Sequence, residues 1–118
     1  LKHSQLTDTH GLLDSIVTFT GQAFTIPDSA ISVITLDSAY KVLLPEVAWE
    51  FNNEMKIIPA GGMSQLAYSR YGSGKVVVAG EAAMFTAQRV GDNKIGLNSD
   101  FAPHNLQLLH NILEWLAE

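Results

Sequence analysis

The sequence contains no cysteine. That one absence excludes disulfides, thiolate metal sites and a cysteine nucleophile together. Basic residues are few: seven Lys and Arg, scattered from Lys2 to Lys94 against twelve Asp and Glu, leave a net charge of -5. Without a basic cluster there is no footprint for phosphates, so nucleic acid is not an expected partner. A polybasic membrane-surface site is disfavoured for the same reason. No apolar run approaches the ~20 residues that span a bilayer, so membrane insertion is not expected either. Internal repeats, low-complexity tracts and linkers are also lacking. What is present is 118 residues, 47% hydrophobic and 16% charged. That is a folding composition, with chain enough for one domain, 1–118, around a real core.

The first fifteen residues are polar and read as a loop with one helical turn. Ile16 to Pro27 alternates as a strand does, with Gly21 as a bulge or bend. Ile31 to Leu36 reads as a second strand between the turn formers Asp28-Ser29 and Asp37-Ser38. The stretch YKVLLPEVAWEFNN is either a short helix over Glu46 to Asn52, with Pro45 in its first turn, or an irregular excursion. Met55 to Ile58 reads as a short edge strand. Gln65–Tyr71 and Lys75–Ala79 flank Gly72-Ser73-Gly74, which is a hairpin signature. The first arm alternates, as a half-exposed or edge strand would. The second, KVVVA, is uniformly apolar, as expected of a central strand covered on both faces. A C-terminal helix over Asn105 to Leu116 carries the stripe Leu106, Leu109, Leu113 and Leu116, widened by Ile112 and Trp115. So apolar a helix must pack on a sheet, and the class is α/β.

Most chemical motifs fail on spacing. Gly72-Ser73-Gly74-Lys75 lacks both the upstream Gly and the downstream Ser or Thr of a phosphate loop, and a strand follows it. Ser64 lacks the second Gly of a nucleophile elbow. His3, His10, His104 and His110 nowhere show the i, i+4 spacing that puts two imidazoles on one helical face, so no metal is expected. Gly91 to Asp100 alternates oxygen-bearing residues, but Lys94 sits where a calcium ligand would and no bidentate Glu follows. No cofactor motif stands out. The best candidate is Glu81, directly after VVVAG, where an α/β sheet presents its ligands beyond the strand ends. A long polar loop follows, with Gln88, Arg89, Asn93 and Asn98 leading to His104 and Asn105. The bland reading is that Glu81 caps the following Ala82–Phe85 turn. As a lone carboxylate it lacks a partner for general acid–base work.

The stretches RYGSGKVVVAGEAAMFTAQ and APHNLQLLHNILEWLA resemble the closing section of class I glutamine amidotransferase-like, flavodoxin-like domains. The nearest in character are non-catalytic bacterial members, including the trehalose-utilisation-type group. The segment from His3 to Phe24 is similar to a mid-domain stretch of that family, with Ser4 where the family has proline. The resemblance implies an open mixed or parallel sheet flanked by helices, with the C-terminal helix packed on it. It also implies that this chain corresponds to the C-terminal portion of a larger domain, incomplete at its N-terminus. True amidotransferases use a Cys–His–Glu triad. No late His-x-Glu pair is present here, so glutaminase activity is not expected. The expectation is a non-catalytic binding or scaffold domain, taking a small polar ligand or sugar at a crevice near Glu81, Gln88, Asn98, His104 and Asn105. The alternative is a hydrolase using Glu81 and His104 with residues from upstream. Exposed sheet edges imply a homo-oligomer, most simply a dimer.

Overall fold

A computed structural model of the chain describes residues 1, 4–11 and 13–118. Its elements in order are α1 (Gln5–Asp8), β1 (Ile31–Thr35), β2 (Lys41–Leu44), β3 (Lys56–Pro59), β4 (Ser64–Tyr71), β5 (Gly74–Ala79), a 3₁₀ turn (Ala83–Phe85), β6 (Ala87–Val90), β7 (Asn93–Gly96) and α2 (Asn105–Ala117). The molecule is mixed α and β, with small antiparallel sheets and a C-terminal helix. The main sheet has the order β1-β4-β5, and β2-β3 and β6-β7 are separate two-stranded hairpins.

The expected open mixed or parallel sheet is corrected on this point: every strand pair among the described residues is antiparallel. Parallel neighbours need helical crossovers between them. Here no helix lies in the links between strands that pair, and among the described residues α2 is the only helix longer than about one turn.

The central strand is also corrected. β4 takes the centre, buried from Ser64 through Tyr68, while β5 lies at the edge with Val76 and Val78 exposed. A run of valines satisfies one buried face as well as two, so strand order is decided by what pairs beyond it. β1 pairs with β4, through a register broken by bulges at Ser32, Ile34 and Thr35. The β4–β5 turn itself is as expected: Tyr71 pairs Gly74, and Gly72 carries the positive φ (57°) that a two-residue loop requires.

One face of the main sheet carries the core. Leu66 and Tyr68 of β4 and Val33 of β1 pack with Leu108, Ile112 and Trp115 of α2 and with Leu6 and Leu13 of the N-terminal segment. Trp115 is the keystone. Tyr68 meets its ring edge-on at 5.0 Å, and Lys75 and Arg70 approach it at 5.2 and 5.8 Å. The helix faces the sheet by a different stripe from the one its leucines mark. Leu106, Leu113 and Leu116 are exposed, whereas Asn105, Leu108, Asn111, Ile112 and Trp115 are buried.

Ile16 to Pro27 is not a strand. Among the described residues its backbone bridge to the main sheet is the one between Phe24 and Ser64. Residues 46–52 form no helix; Trp49 takes a left-handed conformation there (φ 69°) and breaks any such run.

Candidate functional site

The irregular segment from Leu13 to Phe24, here called the strap, exposes backbone N–H and C=O groups that need partners. The side chains of Asn105 and Glu81 supply several of them. Asn105, fully buried at the start of α2, accepts from Val17 N–H (3.0 Å) and donates to Val17 C=O (2.8 Å) and Met84 C=O (3.1 Å). Asn111, one helical turn and a half further on, donates to Leu6 C=O (2.8 Å). Glu81, buried after β5, accepts through Oε1 from Phe19 and Thr20 N–H at 2.5 Å each. Backbone bonds complete the attachment, from Gln22 N–H to Gly80 C=O and reciprocally between Phe24 and Ser64. The approach is so close that a Cβ on Gly80 would lie 2.0 Å from Gln22 O. Only glycine fits.

On its outer side the strap forms one wall of a cleft, with β2 opposite. Its inner part is a cavity of about 280 Å³ lined by Thr18, Thr20, Gln22, Tyr40, Lys41 and Gln65, among others. An adjoining cavity of about 530 Å³ shares Thr20, Gly21, Gln22 and Lys41, then runs along Leu43, Pro45, Ala48, Trp49 and Phe51. Among the described residues Lys41 is the one charged side chain in either lining. Gln65 is the decisive group at the inner end. It is 7% exposed, its amide nitrogen reaches Thr20 C=O at 3.4 Å, and its Oε1 is buried without a partner. A buried acceptor left unpaired costs about 1–3 kcal/mol. A donor brought to Oε1 would remove that cost.

The residues singled out in the sequence fall elsewhere. Glu81 does emerge just beyond the end of β5, but it lies behind the strap and lines neither cavity. Nor does it cap the 3₁₀ turn, which has no side-chain cap. Its Oε2 is buried and unpartnered, as is His104 Nδ1. Gln88, exposed on β6, donates to Thr86 Oγ1 (2.7 Å), and Asn98 donates to Gln88 C=O (3.0 Å), so this pair staples the β6–β7 hairpin. Asn105 clasps the strap. Among the described residues no hydrogen bond joins Glu81 to Gln88, Asn98, His104 or Asn105. Sequence reasoning passed over Gln65, although an amide opening the strand-like run from Gln65 to Tyr71 was a usable signal. It had no signal for Trp49.

No group of three or more His, Cys, Asp or Glu among the described residues is placed to hold a metal. His10 pairs with Glu114, and His3 lies outside the described residues. The calcium-like stretch folds as a hairpin whose acids face cations, Asp100 to Lys94 at 3.2 Å and Asp92 to Arg89 at 3.6 Å. Ser64 Oγ donates to Ser32 Oγ (2.7 Å) inside the sheet. No helix in the described residues is long and apolar enough to cross a membrane. Compared with protein-family models, curated proteins and solved structures, the chain matches none.

Proposed function

We propose that the protein is a non-catalytic binding domain whose cleft between strap and β2 takes a small, neutral, hydroxyl-rich ligand such as a sugar. The observation carrying this reading is Gln65 Oε1, a buried acceptor with no partner at the end of a cleft lined by hydroxyls and amides. Such a site, with few fixed polar groups in a concave wall, orients a ligand by hydrogen bonds. A hydrolytic reading needs Glu81 and His104 to share work. The strap occupies Glu81 Oε1 instead, and nothing bonds it to His104. The relation to amidotransferase-like domains is proposed on the sequence stretches alone.

Titration calorimetry with neutral hexoses and inositol tests the reading. The expected result is saturable binding near 1 mM, about -4 kcal/mol, weakened by Gln22→Ala or Lys41→Ala, whose side chains lie on the exposed wall. Absence of saturation by every compound overturns it.

A second reading, assembly through copies of the chain, is favoured by the unpaired outer edge of β5 and the exposed Val76 and Val78 beside it.

A further inference from the structure

Trp49 is held in a conformation that bulky residues avoid. Its φ of 69° lies in the left-handed region, at a cost of about 1–3 kcal/mol. Nothing in core packing accounts for that strain, because the side chain is 79% exposed. Phe51 stands edge-on to it, with ring centroids 6.4 Å apart and planes at 80°, which fixes the indole and leaves a face open. The ring belongs to the outer cavity, and Thr20, Gln22 and Lys41 continue from there to Gln65.

We propose that Trp49 is the stacking platform of a second subsite, so that the cleft binds a linear neutral saccharide of two or more units. One unit hydrogen-bonds at Gln65 and the next lies on the indole. The inference rests on the binding reading above. A sugar ring has an apolar C–H face and a polar rim, which matches an aromatic face bordered by an amide and a hydroxyl. The same loop carries Glu46, Glu50 and Glu54. Those carboxylates line a separate cavity across the loop, whereas Lys41 lies within the cleft, so the neutral class rests on the hydroxyls and amides of the wall and not on repulsion of anions.

The test is titration with glucose and with its α-1,4- and β-1,4-linked di- and trisaccharides, followed by calorimetry and by tryptophan fluorescence. Trp115 is only 4% exposed, so a spectral change on binding reports Trp49. The expected result is that one linkage series gains about tenfold in affinity from one unit to three, about 1.4 kcal/mol. Trp49→Ala abolishes that gain while keeping the affinity for glucose, and Trp49→Tyr retains most of it. Binding of glucose with no gain on lengthening overturns the second subsite and leaves the first. A gain that survives Trp49→Ala overturns the platform. Failure of every saccharide overturns both readings. Tighter binding of a neutral Ser-Ala hexapeptide than of any trisaccharide overturns the ligand class.

Discussion

Asn105 does for the strap what a neighbouring strand would do. Its amide offers a carbonyl and an N–H to both backbone groups of one residue, Val17, with no ladder needed. Asn105→Ala leaves these groups unpaired beside a void, and a loss of about 2–3 kcal/mol is expected in urea unfolding. Asn105→Asp is expected to be the worse substitution despite its closer size. A carboxylate still accepts from Val17 N–H, but it faces the carbonyls of Val17 and Met84 where the amide donated. Glu81 follows the opposite rule, since it only accepts. Glu81→Gln is expected to cost about 1 kcal/mol through lost charge assistance, and Glu81→Ala about 2–3 kcal/mol. Circular dichroism of the urea transitions ranks all four variants. The sequence made Glu81 conspicuous and left its role hidden. Its partners lie 61 and 62 residues away, and no local pattern announces a bond over that distance.

At the scale of elements, legibility followed locality. The β4–β5 hairpin was readable because Gly72 answers a local steric demand, and α2 because its periodicity lies within thirteen residues. Which face of α2 turns inward was not readable from leucines. The buried face includes two asparagines, matched to carbonyls far away in sequence, Val17 of the strap and Leu6 of α1. Strand order failed for the same reason, since a uniform apolar run is silent about its neighbours. β2 and β3 were the least legible, being short strands that pair with each other alone. That isolation makes the hairpin tip separable from the core. Replacing residues 45–55 by Asn-Gly joins Leu44 to Lys56, which already face each other in register. The expected change in melting temperature is less than about 4 °C, under roughly 1 kcal/mol. Hydrogen exchange of β4 amides is expected to be unchanged, because the core lies under the other sheet. A large fall in either quantity would show that the tip supports the fold.

The whole molecule exposes more surface than its mass requires. Its accessible area is 7777 Å², against roughly 6,300 Å² for a compact monomer of this mass. Its radius of gyration is 15.3 Å, against about 13.5 Å for this length. The extents of 46 × 38 × 23 Å describe a flattened body. Part of the exposed apolar surface is on the open face of the main sheet, where Tyr71, Val76 and Val78 stand at or near the β5 edge. The two edges of that sheet are not equivalent. β1 is bulged, which twists an edge away from pairing, whereas β5 keeps regular register along its whole length. Antiparallel pairing of β5 with β5 of a second copy about a two-fold axis would join the two open faces into one. Sedimentation velocity across a concentration series is therefore expected to show a monomer–dimer equilibrium. Val76→Lys with Val78→Lys places like charges across that axis and is expected to leave only monomer, with little change in unfolding free energy, because both side chains are already half in water. A dimer that persists in the double variant would move the contact away from β5. A wild-type chain that stays monomeric at every concentration would mean that the open face meets a different surface or none.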